Sequence, residues 1–136
     1  MKPFYLMSIC LILLTGCQFI SPIVTNYNGV RMDVAHYINH SWRFSLKERD
    51  VLVDYAKAQQ QLSAWPRLTQ QQQHTLARDL FIQRSCSAKK VSPHKLDLVD
   101  AQIFADRDGQ QKLAAMYAMQ QQLEITQQAI DCNNKI

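Results

Sequence analysis

From residue 45 onward the chain repeats one pattern, apolar residues at intervals of three and four broken by short polar stretches. Val51, Leu52, Tyr55, Ala56, Gln59 and Leu62 form the first stripe, polar only at Gln59, with the spacing of one helix face. Ser45-Leu46-Lys47-Glu48 before it is a capping box: the serine oxygen can accept from the third amide while the glutamate reaches back. Pro66 is expected to stop this helix after Trp65. Thr69-Gln70-Gln71-Gln72 repeats the box chemistry and opens a second helix, with Leu76, Ala77, Leu80 and Phe81 inward. Ser92-Pro93 places a cap before proline at the first helical position, and Leu96, Val99, Ile103 and Phe104 follow as a third apolar face. Asp106-Arg107-Asp108-Gly109 breaks the pattern, with Asp108 the expected cap of a last helix over 110–131. Leu113, Met116, Tyr117, Gln120, Leu123, Gln127 and Ile130 line its inner side. No alternating β-branched run intervenes. The pattern predicts an all-α bundle of about four helices over residues 43–136.

Upstream the periodicity weakens. Residues 18–29 hold Pro22 and the turn pair Asn28-Gly29 and read as a spacer or as one arm of a hairpin. The hairpin would pair Tyr27 with Val30, Thr25 with Met32 and Ile23 with Val34, although a lone two-stranded ribbon is marginal. Residues 30–41 also fit a short helix with Val30, Val34, Tyr37 and Ile38 on one side. The helix is the preferred reading.

The first seventeen residues carry a different signal. Met1-Lys2 gives a short positive start, and the apolar run Phe4–Leu14 ends in Leu14-Thr15-Gly16-Cys17. That run is too short for the roughly 20 residues a membrane-spanning helix needs, and its order is that of an export signal. Leu14-Thr15-Gly16-Cys17 resembles the lipobox of bacterial lipoproteins. The resemblance implies cleavage before Cys17, a diacylglyceryl group on its thiol and acylation of the freed amine. Gln18, where an aspartate would favour the inner membrane, implies the periplasmic face of the outer membrane. Two or more acyl chains anchor a protein stably where one does so only marginally. The expected organisation is therefore a signal peptide over 1–16, a lipidated cysteine and spacer over 17–42, and a helical domain over 43–136.

With Cys10 removed in the signal and Cys17 lipidated, Cys86 and Cys132 remain. An even pair in an exported chain reads as a disulfide. Two buried thiols or a redox or metal site are the competing readings, but no Cys-x-x-Cys occurs and no histidine is near either cysteine. Topology agrees. If successive helices fold back over short loops, the second and fourth run parallel, which puts Cys86 and Cys132 at one end.

Composition narrows the function. Three glycines exclude a phosphate loop or a dinucleotide fingerprint, and a net charge of +4 spread over the chain is too weak for nucleic-acid binding. Asp33, His36 and His40 have helical spacing suited to zinc. Tyr37 stands where a helical zinc protease needs glutamate, so solvated polar residues are the preferred reading there. His74 and His94 read as surface residues. Asp97 and Asp100 read as a solvated helix face, and Lys89, Lys90 and Lys95 as a small basic patch beside Cys86. No serine elbow or free thiol offers a nucleophile. No enzyme activity, metal or cofactor is expected.

Seventeen glutamines are the main oddity, with runs at 59–61, 70–73 and 120–122 inside expected helices. Glutamine is a good helix former, so these runs make either plain soluble helix surface or an uncharged face that a protein partner covers at low desolvation cost. Trp42 and Trp65 are candidate anchors, since tryptophan is enriched at interface hot spots. The partner surface is expected on the two longest helices, at Leu62, Trp65, Tyr117 and Gln121. The plan resembles small helical lipoproteins such as secretin pilotins and the lipoproteins accompanying envelope two-component systems. It implies a non-enzymatic accessory or adaptor for an envelope protein assembly, bound to the membrane by its lipid and not to nucleic acid. The alternative is a periplasmic inhibitor or ligand-binding lipoprotein directed at a cell-wall-active enzyme.

Overall fold

The computed structural model describes residues 26–123 together with Ile130 and Cys132. Leu14–Cys17, Gln18, the spacer as far as Thr25, and Gln127 lie outside them. Among the described residues the chain forms β1 (Asn26–Tyr27), β2 (Val30–Arg31), α1 (Met32–His40), α2 (Leu46–Gln59), a 3₁₀ segment (Gln60–Arg67), α3 (Gln70–Ser87), α4 (Pro93–Ile103) and α5 (Arg107–Gln122). The architecture is an all-α bundle. Its fifth helix is α1, ahead of the four that start at residue 45 or beyond. No helix among the described residues is long and apolar enough to cross a membrane.

Each upstream reading is present in part: of the expected ladder Tyr27 pairs with Val30, but Met32 and Val34 are in a helix, which begins after Val30 and not at it. Asn26 pairs with Arg31 and Tyr27 with Val30 in an antiparallel register. Asn28 and Gly29 have φ of 52° and 82°, the two left-handed positions of a type I′ turn. Helix α1 starts at Met32 and buries Val34, Ala35 and Ile38, which join the core of the later helices. Arg31 fastens this end. Its backbone N–H donates to Gln60 Oε1 at 2.8 Å, and its guanidinium donates to the Gln102 and Ile103 carbonyls at 3.2 and 3.3 Å. A cation at these last α4 carbonyls satisfies groups that have no partner within the helix.

Three of the expected starts are observed, each in its own way. Ser45 N–H donates to Glu48 Oε2 at 2.8 Å. Thr69 and Gln72 exchange hydrogen bonds at 2.9 and 3.3 Å. Ser92 precedes Pro93 at the start of α4. At the fourth start the cap is Asp106 and not Asp108: Asp106 Oδ1 accepts from Gly109 N–H at 2.6 Å. The sequence Asp106–Gly109 looked like a break because glycine disfavours helix, yet Gly109 lies inside the first turn of α5. A Cβ there would come 3.0 Å from the Phe104 Cα, so a bare backbone lets α5 start directly against the α4 terminus.

Helix α2 is central and packs against α1, α3 and α4, while α5 packs on α3 and on the 3₁₀ segment. Directions follow from the cross-links. Glu48 meets Lys95 and Tyr55 meets Asp100, a near-constant offset that makes α2 and α4 parallel. Gln120 Nε2 donates to the Ala77 carbonyl at 2.8 Å, and Cys86 is bonded to Cys132 with Cα atoms 5.5 Å apart. The cysteines are paired as expected, although Cys132 lies beyond the end of α5 and not at it. The last helix is shorter than expected: it ends at Gln122, and Ile130 and Cys132 lie outside regular structure.

Pro66 does not terminate an α-helix. α2 stops at Gln59, and the next eight residues tighten into the 3₁₀ segment, which contains Pro66. Residues three apart line up at three residues per turn. Leu62 and Trp65 therefore fall on one line and turn inward together.

Candidate functional site

That inward turn corrects the expected contact surface. Leu62 is 0% and Trp65 7% exposed, so both are core residues and neither is available to a partner. Tyr117 is half-buried beside Asp100 and Arg84, and burial raises its pKa above the usual phenol value. Gln121 is exposed near the end of α5. The four expected contacts thus do not form one surface. Gln60 is also committed, because it accepts from Arg31 N–H and donates to the Gly29 carbonyl at 3.4 Å.

Of the uncharged runs, two do converge. Gln61 from the 3₁₀ segment and Gln71 and Gln72 from the first turn of α3 flank an open groove of about 490 Å³. Ser63, Ala64, Leu68, Thr75 and Leu76 complete its walls, and Asp79 is its single charged member among the described residues. One side is fixed from behind, where Gln73 Nε2 donates to the Trp65 carbonyl at 2.9 Å. The groove offers amides, hydroxyls and aliphatic surface at little desolvation cost, which suits an apolar side chain flanked by peptide groups. A second recess of about 430 Å³ lies between the hairpin and the start of α5. Of its charges, Arg31 is paired with Asp33 and Lys112 with Asp108, and Asp106 is engaged as the α5 cap.

The zinc-like triplet does not assemble. Arg31 takes both oxygens of Asp33, at 2.7 and 2.8 Å. The His36 and His40 rings stack at 4.0 Å, and His40 Nδ1 donates to the His36 carbonyl at 3.1 Å. Among the described residues no three His, Cys, Asp or Glu side chains converge on a metal position.

Asp97 and Asp100 do not form the solvated face expected of them. Asp97 is exposed, but Asp100 is only 5% exposed and belongs to a buried polar cluster. Tyr55 Oη donates to its two oxygens at 2.9 and 2.8 Å, and Arg84 Nη1 donates to Tyr55 Oη and to Asp100 Oδ2, each at 2.8 Å. Arg84 Nη2 reaches out to Asp97 Oδ1 at 2.5 Å. Burial pushes the Asp100 carboxyl up to about 6, against the opposing hydrogen bonds from Tyr55 and Arg84. One signal for this cluster was readable: Asp100 lies four residues after Leu96 and four before Phe104, on the inward stripe of α4. Every member is satisfied by another, so the cluster locks α2, α3 and α4 together and leaves no group aimed into an open cavity.

At the α3–α4 turn, Lys89 and Lys90 are exposed, whereas Lys95 is tied to both oxygens of Glu48 at 2.8 Å. This contact and Ser45 hold the Glu48 carboxyl at about 2. His94 is exposed and His74 half-buried. Searches for similarity return nothing: no protein-family model, no curated protein and no solved structure matches this chain.

Proposed function

We propose that the chain is a lipoprotein held by Cys17 at the periplasmic face of the outer membrane, acting without catalysis as an accessory or adaptor in an envelope protein assembly. The observation that supports this reading is the glutamine-flanked groove between the 3₁₀ segment and α3. Its walls, uncharged except at Asp79, suit a protein segment with an apolar anchor residue, because most of the contact strips no water from an ion. The Gln73 bond to the Trp65 carbonyl holds α3 against the 3₁₀ segment, which lowers the ordering cost of binding.

The test is a photo-reactive residue placed at Gln61 or Gln71 in cells and activated by light. Adducts to one envelope component at both positions, absent when the probe is at exposed Ala101 on α4, support the adaptor reading. With the probe kept in place, Ser63→Lys with Thr75→Lys in the groove walls should then reduce the adduct by tenfold or more, about 1.4 kcal/mol, with the helical spectrum unchanged. No position-specific adduct would refute the groove as the contact. A wall hydrolase as the captured component would replace the adaptor reading with the inhibitor one.

A further inference from the structure

The two ends of the bundle differ in charge. Because α1 and α3 finish where α2 and α4 begin, one end collects Trp42, Arg43, Leu46, Lys47, Lys89 and Lys90, all exposed. None of the four cations has an ion pair among the described residues. The nearby carboxylates are mostly spent: Glu48 holds Lys95, and Asp97 and Asp100 hold Arg84. Asp50 carries no ion pair among the described residues, and it sits one helical turn further along α2 than Leu46. At the same end, Trp42 is 89% and Leu46 77% exposed. Phe44 between them is buried and meets the Tyr37 ring edge-on at 5.6 Å, so the loop is pinned from inside while the indole faces out. The Arg43 guanidinium lies 5.8 Å from the Trp42 ring centroid.

We infer that this end rests on an anionic lipid surface, with Trp42 and Leu46 set among the headgroups and Arg43, Lys47, Lys89 and Lys90 over the phosphates. Indole and basic side chains together are what the interface between water and hydrocarbon selects. Each cation near an anionic surface adds about fivefold to the docked population. The inference rests on the membrane anchoring proposed above, and the reach is sufficient. Asn26 lies at the opposite end of the bundle, and the nine residues 17–25 set an upper limit of about 30 Å on the reach from Cys17. Helix α2, with its 14 residues, is about 21 Å long. Docked this way, the groove at Gln61 and Gln71 points away from the bilayer and toward a partner.

The experiment places the full chain in vesicles of phosphatidylcholine with 30% phosphatidylglycerol, and in phosphatidylcholine alone, each brominated near the headgroup. Trp42 emission is taken as the difference between wild type and Trp42→Phe, so that buried Trp65 contributes a constant background. Quenching of Trp42 by the bromolipid in anionic vesicles, weakened at least fivefold by Lys89→Glu with Lys90→Glu, is the expected result. Equal quenching in both vesicle types overturns it, as does a Trp42 that acrylamide reaches equally with and without vesicles. Protection that appears only when envelope extract is added assigns this end to a protein and also overturns it. The mass of the peptide carrying Cys17, read from the same sample, separates the two ideas. An unlipidated Cys17 with Trp42 quenched removes the anchor and leaves the surface contact standing, and a lipidated Cys17 with Trp42 in water does the reverse.

Discussion

Asp100 should make this protein more stable in mild acid, opposite to the usual effect of a carboxylate paired with arginine. Its carboxyl is raised by burial from the ordinary 3.8 to about 6. Between those values the folded chain holds a proton that the unfolded chain has released. Stability from this group is therefore fully present below about pH 4 and is lost as pH rises through 6. The whole shift corresponds to about 3 kcal/mol, of which about 2 kcal/mol is recovered at pH 4 relative to pH 7. Glu48 works the other way, losing stabilisation as pH falls from 4.5 toward about 2, so wild type alone cannot isolate the effect. Asp100→Asn can, because the amide still accepts from Tyr55 but no longer titrates. Urea unfolding of both proteins at pH 4 and pH 7 gives a double difference in which Glu48 and all else common to the two proteins cancel. Wild type should gain about 2 kcal/mol more than the variant on going to pH 4. A double difference near zero, or of opposite sign, would refute the argument. It would mean that Arg84, 26% exposed and shared with Asp97, holds Asp100 ionised in spite of its burial.

Three further outcomes are expected. Reducing Cys86–Cys132 removes a constraint across 46 positions, about 4 kcal/mol in the loop-closure estimate; calorimetry should show Tm falling by about 10 °C or more while far-ultraviolet circular dichroism stays helical. Leu62→Ala should cost about 2–5 kcal/mol and Gln61→Ala about 0.5 kcal/mol or less. Similar urea midpoints for the two would contradict the inward turn of the 3₁₀ segment. Cys17→Ser should give a precursor that a clickable palmitate analogue no longer labels, and labelling equal to wild type would dismiss the lipobox.

Much of the fold could be read from the chain because its signals are local. Ser45 with Glu48, Thr69 with Gln72 and Ser92 with Pro93 mark helix starts through contacts within four residues, and each helix is where its marker predicts. Asp106 was missed for Asp108 because the reason Gly109 can sit in a helix is a contact with Phe104, which no local pattern carries. The switch to 3₁₀ geometry after Gln59 was hidden in the same way. Leu62 fits an α stripe as well as a 3₁₀ one, and only the packing of α5 on this segment decides between them. The site was legible in parts. The glutamine runs were visible, but their convergence depends on the angle between the 3₁₀ segment and α3. Asp100 was read as surface because aspartate nearly always is, and its partners lie 16 and 45 residues away.

The bonds of Arg31 bear on how this domain would respond to being pulled. Any load arriving through the N-terminal segment enters at the hairpin, and a short ribbon ahead of a nine-residue helix would ordinarily peel away strand by strand and then turn by turn. Arg31 stands at the junction and is bonded to Gln60, Gln102 and Ile103 at once. Tension is therefore divided between the C-terminal ends of α2 and α4 before α1 feels it. These bonds must break together and not in succession, which gives the attachment point a higher rupture force than its few residues suggest.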